Sequence, residues 1–227
     1  MIKLIARIII LIYNWLLTGE PIDNIKSACY VEYANYLYDI CRNWEKAIIF
    51  YNRALSFNSN NSYAYGGLAA IHFEKKQFKK SLEYCKSAYA INAGITVQIL
   101  MQVIYEVLGE SNLAKEQLQN ILKFYENDLV AAYDWLAYAY LKVDMLNAAE
   151  HFCEEALKNK PNAAILHYNM GIIYFAKNEF LKSKTEFAKV LELANDRDEK
   201  DRRSKQYAIK KIRRIDNLLQ KAEKEKG

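Results

Sequence analysis

The chain of 227 residues contains only 7 Gly and 2 Pro, too few turn-forming residues for the many short strands of a β-protein. Hydrophobic residues make up 52% of the chain and charged residues 26%, a balance typical of packed amphipathic helices. The formal net charge of +5 comes from the end of the chain, since 12 Lys and Arg stand against 7 Asp and Glu from Asp196 onward. Residues 1–195 are therefore neutral overall, which argues against a body that attracts nucleic acid by charge.

Residues 1–20 are the first segment, which is apolar and begins with basic residues. The uncharged stretch Ile8–Gly19 has only 12 residues, short of the roughly 18–20 that a helix needs to cross a bilayer. On a helix, the polar residues would form one narrow stripe: Lys3, Arg7, Asn14 and Thr18. Three interpretations remain open: a membrane-attached helix, a helix that packs on the repeats or lies in their groove, and a secretory signal, although small residues for cleavage are lacking after Leu17.

Residues 28–195 repeat a pattern with a period close to 34 residues. Small residues recur at intervals of 34, 33, 35 and 34 residues: Ala47, Ser81, Ala114, Ala149 and Ser183. Nine residues before each of them stands a Tyr or a His: Tyr38, His72, Tyr105, Tyr140 and Tyr174. Each repeat has the pattern of two amphipathic helices joined by a polar turn. Because one helix pair cannot bury its apolar face alone, the sequence predicts a stack of about five helix-turn-helix repeats.

Residues 196–227 are a charged C-terminal segment that the pattern predicts to be one helix, from Asp198 to about Glu225. Its apolar residues lie on one stripe: Ala208, Ile212, Ile215, Leu219 and Ala222. We expect this stripe to cover the last repeat as a cap. The basic run Lys210–Arg214 leaves one alternative function open, in which the chain is a helical repeat protein that binds RNA through this helix.

The stretch His151–Glu155 has the residue types of a metal site or a hydrolytic centre. His151 and Cys153 are two residues apart, so on a helix they point in nearly opposite directions and cannot bind the same metal. Cys153 also takes the position of Cys85 and Phe187 in other repeats, where an inward-facing apolar residue is expected. With no Gly-rich phosphate loop or nucleophile motif elsewhere, the sequence predicts no catalytic residues, no metal, no cofactor and no enzymatic activity.

This repeat pattern resembles the tetratricopeptide repeat. The family's order of large residue, Leu, small residue and Tyr, followed by Ala, aromatic, Ala and Pro, is clearest in one repeat: Tyr133, Leu136, Ala137, Tyr140, Ala149, Cys153, Ala156 and Pro161. The repeat that contains Ala114 matches it least, with Gln98, Met101 and Gln102 at the first positions. The resemblance implies an all-α fold, an α-solenoid in a right-handed superhelical arc, with an N-terminal apolar helix and a C-terminal capping helix.

In this family the first helix of each repeat lines the concave face, and the resemblance implies that this face binds peptides. The large residues that it places there are Tyr36, Tyr63, Phe73, Ile99, Val103, Tyr138, Leu141, Ile165, Tyr168, Ile172 and Phe175. A groove this apolar predicts an apolar peptide or an amphipathic helix as the ligand, with ordinary packing or self-association as the alternative. Some relatives bind a chaperone's C-terminal carboxylate with Lys, Arg and Asn, and the matching positions here differ: Glu32, Tyr36, Gly66, Ala70, Asp134 and Tyr138.

The function that these expectations support is a protein–protein interaction scaffold or adaptor without enzymatic activity. Its partner is a protein or peptide whose identity the sequence does not give, and residues 1–20 add a contact with a membrane. Nucleic acid is disfavoured because the expected concave face carries Glu32, Asp39 and Asp134. The expected location is the cytoplasm, with attachment to a membrane, and the alternative is an exported or signal-anchored protein.

Overall fold

The computed structural model describes the backbone of residues 2–19 and 21–224, and their side chains except those of 2–4, 13–17, 200 and 222–224. This part of the chain contains twelve α-helices and no β-strand. In chain order they are α1 (Ile2–Thr18), α2 (Ile22–Asp39), α3 (Trp44–Phe57), α4 (Ser62–Glu74), α5 (Phe78–Ala90), α6 (Ile95–Val107), α7 (Ser111–Phe124), α8 (Leu129–Lys142), α9 (Leu146–Asn159), α10 (Ala164–Ala176), α11 (Phe180–Leu193) and α12 (Glu199–Lys224). The prediction of an all-α helical repeat fold is confirmed.

The helices form two compact units, one that ends at Asn120 and one that begins at Ile121. In the first unit α2 packs on α3 and α4 on α5, while α6 packs on α4 and α5. In the second unit α8 packs on α9, α10 on α11, and α12 on α10 and α11. The helices of these pairs, α2–α3, α4–α5, α8–α9 and α10–α11, therefore pack as the helix-turn-helix pattern predicts.

The small residues that recur along the sequence lie where two helices of a repeat approach closely. All five are fully buried: Ala47, Ser81, Ala114, Ala149 and Ser183. The hydroxyl Oγ of Ser81 donates a hydrogen bond of 2.8 Å to the carbonyl oxygen of Ala69, and that of Ser183 donates one of 2.7 Å to Gly171. A side chain with more atoms at these positions would meet the backbone of the facing helix, so the size restriction has a direct steric cause.

The turns inside the repeats share a residue in the left-handed backbone region, five positions before each small residue. These residues are Arg42, Lys76, Gly109, Asp144 and Asn178, with φ between 53° and 79°. In the last four turns, the amide of the next residue donates to the carbonyl five positions earlier: Gln77 to His72, Glu110 to Tyr105, Met145 to Tyr140 and Glu179 to Tyr174, at 2.8–3.1 Å. This hydrogen bond closes the C-terminus of the first helix in each of these repeats and starts the return of the chain.

The core of the first unit is built around Tyr51, whose ring is almost fully buried. It packs among residues of α2, α3 and α4: Val31, Ala34, Leu37, Ala47, Ala54, Ala64, Leu68 and Ile71. The Tyr51 hydroxyl donates a hydrogen bond of 2.6 Å to Oδ1 of Asn35, so the polar end of this side chain is satisfied inside the unit. Tyr51 occupies the space beside Gly67, where a Cβ atom would overlap its ring.

The last helix, α12, packs on the second unit along the apolar stripe identified in the sequence. Ala208 and Ile215 are fully buried in a cluster with Phe187 and Val190 of α11, and Ile212 and Leu219 lie against the same cluster. The side chain of Ala222, the fifth residue of that stripe, lies outside the described residues. An ion pair between Lys184 Nζ and Asp216 Oδ1, 2.5 Å long, flanks the contact between α11 and α12.

The first helix, α1, packs on α2. Arg7 and Glu32 form an ion pair of 3.0 Å between the two helices, while Ile8 and Leu11 are less exposed than their neighbours. Of the predicted polar stripe, the side chains of Lys3 and Asn14 fall outside the described residues. In the part of the chain that the structure describes, every helix is too short or too polar to cross a membrane. The interpretation of this segment as membrane-attached, packed or cleaved remains a prediction.

Candidate protein-binding surfaces

In the first unit, the residues expected on the concave face differ in their access to solvent. Tyr63 is exposed and Tyr36 is half-buried, whereas Phe73, Ile99 and Val103 are buried. The Phe73 ring contacts Phe78, with 6.0 Å between the ring centroids. The three buried residues contribute to the core of this unit, so only Tyr36 and Tyr63 of this set can contact a ligand without rearrangement.

In the second unit, α12 lies against three of the residues expected to bind a ligand. Tyr168, Ile172 and Phe175 of α10 pack against the cluster formed by α11 and α12. The Lys211 ammonium lies 4.4 Å from the centroid of the Phe175 ring, and the Arg214 guanidinium lies 5.2 Å from it. Burial, followed by the neighbouring Arg214 charge, lowers the pKa of Lys211. The cap helix therefore occupies the position that the first helix of a further repeat would take.

One of the remaining residues of the expected set, Tyr138, belongs to an exposed aromatic pair on α8. Tyr138 is 45% exposed and Trp135 is 44% exposed, and their rings are perpendicular, with 6.5 Å between the centroids. The Lys142 ammonium lies 5.1 Å from the centroid of the Tyr138 ring. Leu141 and Ile165 are half-buried. We call Trp135, Tyr138 and Lys142 the aromatic face.

Trp135 was not among the residues selected from the sequence, although the signal was present. It lies three positions before Tyr138, so the two side chains share one side of a helix. The repeat alignment drew attention to the apolar positions Leu136 and Ala137 beside it, both fully buried here. Only the structure reveals that the large apolar ring next to them remains in solvent.

A polar contact fixes α8 against α10 close to the aromatic face. The side-chain amide of Asn169 donates a hydrogen bond of 2.6 Å to Oδ1 of Asp134, and Asn169 is buried. Asp134 precedes Trp135 in the chain. Because a buried amide requires its partner, this hydrogen bond holds the backbone of α8 in register with α10 and so positions Trp135 and Tyr138.

The His and Cys residues that suggested a metal site or a catalytic centre in the sequence are either packed in the interior or exposed singly. Cys153 is fully buried, whereas His151, two residues earlier, is exposed. His167 is buried with Nδ1 2.6 Å from Glu186 and Nε2 2.7 Å from the carbonyl oxygen of Pro161. Among the residues that the structure describes, no group of three or more His, Cys, Asp or Glu could hold one metal ion. The predicted lack of metal and of catalysis stays a prediction.

His72 occupies a similar buried position in the first unit. Its Nδ1 lies 2.6 Å from Oε1 of Gln77, and its ring stacks on Tyr84 with 5.3 Å between the centroids. Burial lowers the pKa of His72, and the hydrogen bond with Gln77 opposes this effect only in part. These contacts give His72 a packing role in the repeat position that Tyr holds elsewhere.

Comparison with known proteins identifies the repeat. Residues 130–163 and 164–197 match the tetratricopeptide repeat family model, and these ranges correspond to the helix pairs α8–α9 and α10–α11, apart from the first residue of α8. The STIP1 homolog of Dictyostelium discoideum is 25% identical over 161 residues, which cover 70% of this chain and 28% of the relative. A TPR repeat-containing protein of Methanocaldococcus jannaschii is 23% identical over 194 residues, which cover 86% of this chain and 30% of the relative. The chain thus spans less than a third of the length of both relatives.

Solved structures share the fold. A thermophilic TPR protein of Thermus thermophilus has a TM-score of 0.52 and 16% identity, with 81% of this chain and 98% of that chain covered. The human IFIT1 dimer has a TM-score of 0.54 and 16% identity, with 85% of this chain and 46% of that chain covered. At these identities the likeness concerns the helical repeat architecture alone.

Proposed function

Since the chain belongs to the tetratricopeptide repeat family, we propose that it is a scaffold or adaptor without enzymatic activity, which binds an apolar peptide or an amphipathic helix on the aromatic face of α8. Proteins of this family generally mediate protein–protein interactions. The partner is a protein or peptide. The cytoplasm is the proposed location, and residues 1–20 hold the scaffold at a membrane.

The observation that supports this proposal is the exposure of two large aromatic rings one helical turn apart. Trp135 and Tyr138 each leave nearly half of their surface in solvent, although most large side chains of α8 and α10 are buried or half-buried. Aromatic residues dominate the energy of protein interfaces, because each buries a large area with little loss of conformational freedom. The exposed pair is therefore the surface of the second unit best suited to anchor a ligand.

The charges beside the aromatic face suit a ligand with both apolar and polar sides. Lys142 lies over the Tyr138 ring, and the carboxylate of Asp134, which precedes Trp135 in the chain, accepts a hydrogen bond from Asn169. An amphipathic helix could place apolar side chains on the rings and an acidic residue near Lys142. Self-association through the same rings is the alternative use of this surface.

The test is peptide binding to a double variant of the aromatic face. Peptides selected against the full chain from a library of amphipathic helices are titrated against W135A/Y138A and against Leu181→Ala, a control that removes a 70% exposed leucine from α11. We expect the double variant to weaken binding by about a hundredfold or more, since aromatic anchors contribute about 2 kcal/mol each. Leu181→Ala should leave the affinity unchanged, and circular dichroism should show equal helicity for the three proteins.

Equal affinity of W135A/Y138A and wild type for every selected peptide would reject the aromatic face as the binding surface. Sedimentation equilibrium on the same proteins distinguishes self-association from peptide binding. Self-association through the aromatic face would give a dimer in wild type and a monomer in W135A/Y138A. Because Trp135 and Tyr138 are exposed, their removal leaves the core intact and the comparison remains interpretable.

RNA binding through α12 is the second candidate function. The observation that favours it is a row of exposed basic residues on this helix, which includes Arg202, Lys210 and Arg213. A titration with single-stranded RNA at increasing salt tests it, because phosphate contacts weaken steeply with salt concentration. The test variant is R202E/K210E/R213E. If wild type binds RNA at about 0.15 M salt and this variant does not, RNA binding is favoured over the peptide scaffold.

A further inference from the structure

The helix α1 exposes a continuous apolar surface. Ile5, Ile9, Ile10 and Ile12 are each between 44% and 59% exposed, and the α-helical period places them on the outer and lateral sides of α1. Ile8 and Leu11 are less exposed than these four residues, and α1 packs on α2. We call Ile5, Ile9, Ile10 and Ile12 the isoleucine face.

An ion pair marks the side of α1 that faces α2, away from the isoleucine face. Arg7 and Glu32 are 3.0 Å apart, and the Arg7 side chain keeps 65% of its surface in solvent. Arg7 lies between Ile8 and Leu11 on one side and Ile10 on the other in the helical projection, so it stands at the edge between the side that packs on α2 and the exposed side. The sequence of α1 contains Lys3 and Arg7 and no Asp or Glu.

We infer that the isoleucine face inserts into the surface of an anionic phospholipid membrane, with α1 parallel to the bilayer and Arg7 near the lipid headgroups. This inference rests on the membrane contact in the proposed function and specifies the lipid chemistry and the residues that enter it. The four isoleucines enter the boundary between headgroups and acyl chains. Arg7 stays at the edge, where it pairs with Glu32 and faces lipid phosphates.

The size of the isoleucine face argues against a second copy of the chain as its partner. Among the side chains of α1 that the structure describes, these four expose an apolar area on the order of 400 Å², about half of the ~800 Å² that each partner buries in a standard protein interface. All four are aliphatic, so they offer no hydrogen bond or aromatic ring that would fix the orientation of a protein partner. Insertion into a fluid hydrocarbon phase requires neither a hydrogen bond nor an aromatic ring.

The length and charge of α1 determine how it can bind lipid. It has 17 residues, short of the roughly 20 that a helix needs to cross a bilayer. One side of α1 packs on α2. A helix with an apolar side and a basic edge lies in the plane of the interface, and its affinity rises with the negative charge of the lipid. Neutral lipid alone should therefore bind the chain more weakly than anionic lipid.

The experiment is co-sedimentation of the full chain with sucrose-loaded vesicles. One set contains phosphatidylcholine with about a third phosphatidylserine, and the other contains phosphatidylcholine alone. The test variant is I9Q/I10Q. The matched control is I40Q/I49Q, which removes two isoleucines that are 70% and 51% exposed outside α1, in the same unit of the chain.

We expect wild type and I40Q/I49Q to sediment with the anionic vesicles to the same extent and to bind neutral vesicles less. I9Q/I10Q should partition at least about tenfold less, because loss of two isoleucines from hydrocarbon exceeds the ~1.4 kcal/mol that a tenfold change represents. Circular dichroism should show equal helicity, since the four substituted residues are exposed.

Three outcomes would overturn the inference: wild type that stays in the supernatant, I9Q/I10Q that binds like wild type, or a wild-type dimer that I9Q/I10Q converts to monomers. The last result would assign the isoleucine face to a second copy. Peptide binding by W135A/Y138A is measured without lipid. A failure of the membrane inference therefore leaves the peptide test of the aromatic face unaffected, and the reverse also holds.

Discussion

The four cysteines differ in environment, and this difference determines their chemistry at the scale of single residues. Burial raises the pKa of the Cys85 thiol to about 12 and raises that of Cys153 as well, whereas Cys41 is exposed. The thiolate is the reactive form, so buried thiols with raised pKa values react slowly. Cys153 therefore belongs to the packing of α9, in agreement with the position predicted for it.

We expect a thiol reagent at about pH 8 to modify Cys41 first and to leave Cys85 and Cys153 unmodified in the folded protein. Both should react once urea unfolds the chain, because exposure restores the ordinary thiol pKa. Mass spectrometry of alkylated peptides at successive times measures this order. Modification of Cys153 in the folded protein as fast as that of Cys41 would contradict the buried position.

The ion pair between Glu150 of α9 and Lys177 at the end of α10 gives a second prediction for single residues. Burial opposes ionisation of Glu150, but hydrogen bonds from Lys177 and Tyr174 outweigh it and lower the pKa of this carboxyl. A carboxyl whose pKa is lowered by folding stabilises the protein above its unfolded pKa, and this contribution is lost as the pH falls through the folded pKa.

We expect Glu150→Gln to lower the free energy of unfolding by about 1 kcal/mol at neutral pH. The difference from wild type should disappear in acid below the folded pKa of Glu150. Urea unfolding at both pH values measures this. The control is Glu155→Gln, which breaks an exposed pair with Lys158 and should change stability little. A Glu150→Gln effect that is independent of pH would show that charge is not its cause.

At the scale of the helical element, the small residue that recurs every repeat controls how closely two helices approach. Ala149 is fully buried in α9, and Ser183, at the equivalent position of α11, is hydrogen-bonded to the backbone of α10. Position 171 on α10 also has no room for a side chain, since a Cβ atom there would lie 2.7 Å from the Phe187 ring. Close packing at these positions leaves no room for larger side chains.

We expect Ala149→Trp to lower the free energy of unfolding by about 1–3 kcal/mol or more, because the indole would separate α9 from α8. His151→Ala, two residues further along the same helix, should be nearly neutral, since His151 is exposed. Thermal unfolding followed by circular dichroism compares the two. Equal melting temperatures of Ala149→Trp and wild type would show that the helices tolerate a larger spacing.

At the scale of the whole molecule, the helix α12 is part of the core of the second unit. Ile215 of α12 is fully buried against α11, while Leu218, three residues later, is partly exposed. Tyr168 and Phe175, expected on a binding surface, pack against this same cluster. Their removal should therefore destabilise the second unit in addition to any effect on a ligand.

We expect Ile215→Ala to lower the free energy of unfolding by about 2–5 kcal/mol and Leu218→Ala to lower it by less than about 1 kcal/mol. Urea unfolding of both variants and of wild type provides the comparison. If Ile215→Ala and Leu218→Ala had the same small effect, α12 would not contribute to the core of the second unit, and Phe175 would be free to contact a ligand.

The sequence alone determined the helical class, the period of the repeat and the positions of the small residues, because these depend on local packing that each repeat carries in its own residues. Ala47, Ala149 and Ser183 could be named as close contacts from their spacing, and they are fully buried. The αL turns five residues earlier follow the same period, although residues as different as Arg42 and Gly109 occupy them.

Only the tertiary structure decided which apolar residues remain available for binding. Tyr138 and Ile172 occupy the same position in neighbouring repeats, yet Ile172, like Phe175, packs against the cluster of α11 and α12, while Tyr138 stays in solvent beside Trp135. The direction of a side chain on its helix follows from the sequence, whereas its burial depends on whether a distant segment packs over it. That segment, α12, begins more than 20 residues after Phe175, so its contact with this ring is a property of the folded chain.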